Sequence, residues 1–205
     1  MSYSIQMVRK SEQVSNEWSG GVTTQLAIYP EHADYSKRDF KWRMSSAMVE
    51  VEESVFTPLP GIWRLIMVVD GEMTLEHEGH HRIHLKPYEQ DSFSGGWTTR
   101  SAGKVRDFNL MLAEGCSGEL KAMNIGEEVH HEELSDQHTD FLQAVHAFYC
   151  TNGHVNMVID EKDSIELAEG DLIILNRENL EKNIHVKLLS NSESGANVIR
   201  ASALF

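Results

Sequence analysis

Short runs of alternating apolar and polar residues, each closed by a turn signal, recur along most of the chain. This recurrence constrains the fold more than any other feature. The stretch "IWRLIMVVDGEMTLEHEG" holds two such runs around Asp70-Gly71, a pair suited to a two-residue hairpin. "HRIHL" follows, then "VRDFNLML" from Val105 to Leu112. From His146 the pattern resumes with "HAFYC", a turn at "TNGH", "VNMVI", a turn at "DEKD", "SIEL" and a turn at "AEGD". "LIIL", "IHVKLL" and "NVIRAS" complete the series. Short strands with regularly spaced turns give a β-sandwich or barrel. Between the two series the chain turns polar and acidic, and "EEVHHEELSDQHTDFLQ", residues 127–143, reads as a helix or linker. The expectation is an all-β chain of two barrels, residues 1–113 and residues 114–205, the second including the linker. Duplication accounts for such a pair, although no sequence repeat proves it.

Composition narrows the function. The chain of 205 residues carries a net charge of −14, which argues against nucleic acid and anionic membranes, because phosphate surfaces demand clustered Lys and Arg. Residues 1–113 hold 15 acids and 12 bases, whereas residues 114–205 hold 17 acids and 6 bases. Local positive charge therefore belongs to the first half, and the second half reads as an acidic, solubilising shell. No apolar run approaches the roughly 20 residues of a membrane span, and "MSYSIQMVRKSEQ" lacks the apolar core of a signal peptide. Cys116 and Cys150 form no recognisable disulfide framework or CxxC site. A reduced cytoplasm is the expected compartment.

The chemistry is carried by charges in apolar strands. In "FKWRMSSAMVEVEE", residues 40–53, Phe40, Trp42, Met44 and Met48 make one face; Lys41, Arg43, Ser45, Ala47, Val49 and Val51 make the other. Burying the second face puts Arg43 inside the protein. Arg64 shares the predicament, interrupting a face with Ile62, Ile66 and Val68. A buried guanidinium needs an acceptor or pays several kcal/mol of desolvation. That acceptor is either an internal carboxylate, Glu50 or Asp107, or a bound anion, which the guanidinium fork matches bidentately. On an edge strand either arginine would instead reach water. Asp107 and Asn109 share one strand face, the first able to hold an arginine, the second offering donor and acceptor together.

Two other groups invite weighing. In "NEWSGGVTTQLAIYP", Gly20-Gly21 marks a tight turn or close backbone approach, and Thr23, Gln25 and Ala27 share a face that could address a small polar ligand. A glycine turn into a half-exposed strand explains the same residues. The cluster His77, His80, His81 and His84 suggests a metal. His81 and His84 fall on opposite faces, however, and His77 lies across a turn at Glu78-Gly79, so a polar hairpin tip is expected. His130-His131 read the same way. Neither cysteine sits in a nucleophile's setting, and no GxSxG or phosphate-binding loop is present.

The stretches "WSGGVTTQLAIYP", "FKWRMSSAMVEVEESVFTPLPG", "IWRLIMVVDGEMTLE" and "KVRDFNLM", in this order and spacing, resemble the HutD/Ves family of bacterial bicupins. Many relatives carry Asn-Gly where this chain has Ser19-Gly20. The resemblance implies two jelly-roll cupin barrels in one chain. Metal-binding cupins carry His-x-His and then Glu on one strand and a further His on another. The comparable strands here read Arg43-Met44-Ser45 with Glu50, and Asp107-Phe108-Asn109. A lumen so lined implies an anion in place of a metal, with no cofactor, and implies that Phe40, Trp42 and Met44 point away from it. The family is associated with histidine utilisation, where a regulatory role and a small carboxylate ligand, such as a formylated amino acid, are implied; a stress-linked branch is less defined.

The expected function is a non-catalytic cytoplasmic binding protein for a small anionic metabolite, a sensor or modulator, with a homodimer left open. Arg43 and Arg64 would clamp the carboxylate. Thr23, Gln25, Ser45 and Asn109 would orient it, with Gly20 and Gly21 beside them, Asp107 steadying an arginine and Trp18 closing a wall. The competing class is a metal-independent cupin isomerase, lyase or hydrolase with Glu50 or Asp107 as general base. An arginine neighbour should lower a carboxylate's pKa and weaken it as a base, which favours binding. A scaffold with a vestigial pocket is the third class.

Overall fold

Within residues 3–136, 140–190 and 192–205, which the computed structural model describes, the chain forms strands, turns and one 3-10 turn at Lys10–Glu12. The first strands are β1 (Ser4–Val8), β2 (Val14–Trp18), β3 (Gly21–Tyr29), β4 (Trp42–Val49), β5 (Glu53–Val55) and β6 (Ile62–Gly71). Then come β7 (Met73–His77), β8 (Arg82–Leu85), β9 (Gln90–Ser94), β10 (Thr99–Ala102), β11 (Val105–Ala113) and β12 (Ser117–Ile125). The last are β13 (His130–Leu134), β14 (Ala144–Asn152), β15 (His154–Ile159), β16 (Asp163–Ala168), β17 (Leu172–Arg177), β18 (Ile184–Leu189) and β19 (Ala196–Leu204). No helix among the described residues is long and apolar enough to cross a membrane.

The strands divide into two units, Gln13–Cys116 and the combination of Met1–Glu12 with Ser117–Phe205. The first contains a sheet of order β2-β3-β4-β11-β6-β9 and a second of order β5-β10-β7-β8. The other contains β1-β17-β14-β19-β12 and β13-β18-β15-β16. Moving eight strands along the chain converts the order β4-β11-β6-β9 into β12-β19-β14-β17, and β5-β10-β7-β8 into β13-β18-β15-β16. The two barrels thus repeat one topology without a legible sequence repeat, because burial on a pleated face restricts residues to apolar types and leaves identity free.

Several local expectations are corrected. Asp70-Gly71 does not close a two-residue hairpin: β6 continues through Gly71, which pairs with Val105, and β7 opens the other sheet. Gly71 has φ +80°, and a Cβ there would lie 2.4 Å from the Lys104 carbonyl oxygen, so glycine serves a corner between sheets. Residues 3–12 group with the second barrel, because β1 pairs along β17 from Ser4↔Asn176 to Val8↔Leu172.

The stretch expected as helix or linker contains strand β13, with Glu132 and Leu134 buried at alternate positions. The run misleads because its buried face includes a carboxylate. Glu132 is matched by Lys121, by His130 Nε2 at 2.8 Å and by Arg200 Nη1 at 2.9 Å. Residues 137–139 of that stretch lie outside the described residues.

The first barrel's interior includes two apolar clusters. One gathers Val49, Ile66, Val68, Met73, Leu75, Leu85, Phe93 and Val105; the other gathers Leu59, Ile62 and Met111 with Phe40, which precedes β4 and so packs inward, a correction to its expected outward direction. Along the inward face of β6, Ile62 belongs to the second cluster and Ile66 and Val68 to the first, so Arg64 stands where the apolar filling is interrupted.

Candidate functional site

Strand register assembles the site. β11 lies between β4 and β6, so Arg43, Met111 and Arg64 form one cross-strand row. The next same-face rows are Ser45, Asn109 and Ile66, then Ala47, Asp107 and Val68. With strands about 4.8 Å apart, the two arginine backbones stand about 10 Å apart, within reach of a common point for side chains of that length. On the far side of β4, Gln25 faces Ser45 and Thr23 faces Ala47. A register shift between Gln25 and Ala27 then moves Ala27 opposite Met44 and Ile28 opposite Arg43. Ala27 therefore leaves the face it was expected to share with Thr23 and Gln25, because a bulge inverts the alternation beyond it.

These rows line a cavity of about 380 Å³ that includes Trp18, Thr23, Arg43, Ser45, Arg64, Asp107 and Asn109. Arg43 and Arg64 are 5% and 7% exposed. Arg43 donates from Nε to Gln25 Oε1 at 2.9 Å and from Nη1 to Ser45 Oγ at 3.0 Å, and its guanidinium lies 4.3 Å from the Tyr35 ring centre. Arg64 donates from Nη2 to Asn109 Oδ1 at 2.7 Å, faces the Phe56 ring at 4.5 Å, and has a buried Nε without a hydrogen-bond partner. Among the described residues neither arginine forms an ion pair. Asn109 in turn donates from Nδ2 to Asp107 Oδ1 at 2.7 Å. Asp107 thus touches Arg64 through Asn109 and not directly, a correction to its expected role.

Burial dominates the electrostatics. Asp107, 2% exposed, is pushed up to about 7 by desolvation, against the opposing pull of Arg64, Asn109 and the Ala47 backbone N–H. The expected lowering of this carboxylate by an arginine is overturned, because the relay holds the cation one residue away. Desolvation likewise lowers Arg64 to about 10 and shifts Arg43 downward.

The other expected residues divide by role. Gln25 supports Arg43, and Trp18, at 40% exposure, stands where the cavity meets solvent. Gly20 and Gly21 do not line the cavity. A Cβ at Gly21 would meet the Met48 carbonyl oxygen at 1.9 Å, and one at Gly20 the Trp18 ring at 2.0 Å, so both glycines serve close packing. Glu50 is exposed and outside the lining, which removes it as an internal partner or base. Tyr35, Phe56 and Met111 were not anticipated. Met111 follows Asn109 at strand period two and was legible in principle. Tyr35 and Phe56 lie outside regular strands and carried no periodic signal.

Outside the cavity, His77 and His81 converge across the turn expected to separate them, whereas His81 and His84 diverge as expected. The turn after β7, closed by His77 N–H donating to the His81 carbonyl at 2.8 Å, brings the two rings to 4.5 Å. Both Nε2 atoms lie 2.9 Å from Asp91 Oδ2, and the three donor atoms lie within 4.8 Å of one another. His84 instead contacts Glu72 and Thr74, and His80 stacks on Trp97 at 3.7 Å. In the second barrel His146 bridges Ser202 Oγ at 2.9 Å and Asp136 Oδ2 at 2.8 Å, and Arg177 also contacts Asp136.

Two jelly-roll barrels of one topology in a single chain define a bicupin, and solved cupin structures share the fold. The chain belongs to the HutD family, whose family model matches residues 10–194. It is 33% identical over 103 residues to Protein Ves of Cronobacter sakazakii, a match covering 47% of this chain and 54% of that protein, about half the length of each. The conserved protein of unknown function PA5104 from Pseudomonas aeruginosa PAO1 superposes with a TM-score of 0.80 at 21% identity, covering 98% of both chains. HutD from Pseudomonas fluorescens SBW25, solved in a formate condition, gives 0.69 at 19% identity over 97% of this chain and 98% of that one.

Proposed function

We propose that the chain is a non-catalytic binding protein for a small carboxylate held by Arg43 and Arg64, acting in the cytoplasm as a sensor or modulator. The observation that carries this reading is two buried arginines on one cavity whose hydrogen bonds go to neutral groups. The second barrel supplies the contrast. Its buried Arg177 is matched by Asp136, and Arg200 by Glu119 and Glu132. Where an arginine serves structure the chain provides a carboxylate; at the cavity that place is left to a ligand. Asn109 and Ser45 present acceptors and donors beside the clamp, and the aromatic faces of Tyr35 and Phe56 accommodate the guanidinium planes. Membership of the HutD family supports a connection to histidine utilisation, with the stress-linked branch as its variant.

Calorimetry and thermal unfolding with formate, acetate and an N-formyl amino acid as probes test the proposal. A carboxylate should raise the unfolding temperature in proportion to the logarithm of its concentration, and Arg64→Met should abolish the shift. No shift with any probe, or an undiminished shift in the variant, rejects it.

One observation favours an enzyme reading as a second possibility. A carboxyl group near 7 inside the cavity is matched to general-base work at neutral pH. Proton NMR of the same probes in deuterated buffer separates the two. Conversion or exchange by the wild type that disappears in Asp107→Asn would replace binding with catalysis.

A further inference from the structure

We propose that His77, His81 and Asp91 form a binding site for one first-row divalent cation of the zinc class, independent of the ligand in the arginine-lined cavity. None of the three lines that cavity. Phe93 neighbours both sites, with the Arg64 guanidinium 5.3 Å and the His77 ring 4.3 Å from its ring centre.

Two imidazoles and a carboxylate are the donor set that zinc-type ions take in open sites, leaving a fourth position for water or an exchangeable ligand. The donors are already gathered. His77 and His81 each place Nε2 2.9 Å from the same Asp91 oxygen. With metal–ligand bonds of about 2.0–2.2 Å, tetrahedral donors stand roughly 3.3 Å or slightly more apart, so an ion needs an opening of about 0.4 Å. His81 is 40% exposed at its side chain and can supply that movement, while His77 is fully buried and fixed.

The surroundings of His77 fit a ligand. Its Nδ1 lies 2.8 Å from Thr99 Oγ1, and Thr99 is itself buried. Without an ion, the Nε2 proton points at Asp91 and the threonine hydroxyl donates to Nδ1. With an ion on Nε2, the proton resides on Nδ1 and the same hydroxyl accepts it. A hydroxyl both donates and accepts, so Thr99 supports either tautomer and aims Nε2 at the ion. Trp97 meets both rings edge-on, at 5.7 Å for His77 and 6.1 Å for His81, giving one apolar wall beside the site.

The test uses the full-length protein, purified without an affinity tag of histidines and stripped with chelator. Zinc binding is measured by calorimetry and cobalt binding by its visible d–d absorption. The expected result is one equivalent of zinc and a cobalt spectrum of tetrahedral intensity. Both should weaken at least tenfold in His81→Ala and in Asp91→Asn and persist in His84→Ala, whose ring lies outside the group. Thermal unfolding of each variant reports folding, and if Asp91→Asn does not fold, the exposed His81 substitution decides. Absence of a zinc isotherm, equal binding by His81→Ala and wild type, or loss in His84→Ala overturns the proposal.

Discussion

Replacing Asp107 by asparagine should stabilise the protein, and by an amount that depends on pH. A free aspartate titrates near 3.9, whereas burial pushes Asp107 up to about 7. Between these values the folded protein holds a proton that the unfolded chain has released. Stability from this group is therefore fully present below about 4, declines as pH rises and levels off above about 7. At 1.36 kcal/mol per pH unit of displacement, charging Asp107 in the folded state costs about 4 kcal/mol. Asparagine matches the shape, keeps an acceptor for the Asn109 Nδ2 and Ala47 N–H groups, and carries no charge to desolvate. The attraction of Arg64 is already contained in that displacement, so Asp107→Asn should exceed wild type by about 4 kcal/mol at pH 8, by less at pH 5, and converge with it only near pH 4 and below. Urea unfolding of both proteins at several pH values from 4 to 8 measures the difference. A difference independent of pH, or a wild type that gains on the variant as pH rises, would mean that Arg64 holds the carboxylate ionised, and the reasoning fails.

Arg43→Met should leave the unliganded protein as stable as wild type or more so, because it strands no carboxylate. In the same variant carboxylate affinity should fall by about 2–5 kcal/mol, roughly 30-fold or more; denaturant unfolding with and without formate reads both effects. Asp136→Ala, by contrast, strands the buried Arg177 and removes the Nε2 partner of His146. It should destabilise by about 3–5 kcal/mol, and an unfolding midpoint equal to wild type would contradict this.

The sequence by itself determined the long apolar strands and the two charges that interrupt them. Arg43 and Arg64 were legible because each breaks an apolar alternation, and Asp107 and Asn109 because a period of two puts them on one face. Such inferences need only a few neighbouring residues. What the tertiary structure decided depends on partners far along the chain. Asp70-Gly71 makes a corner because β7 pairs with β8 and β10, and residues 4–8 join the second barrel because β17 offers them an edge. Glu132 is buried because Lys121 and Arg200 reach it from other strands. Asp91 meets His77 and His81 only once β9 is laid beside β6 and a turn folds back after β7. The sign of the Asp107 shift was likewise settled in three dimensions. Desolvation counts every atom that excludes water, and Asn109 holds Arg64 one hydrogen bond too far away to prevail.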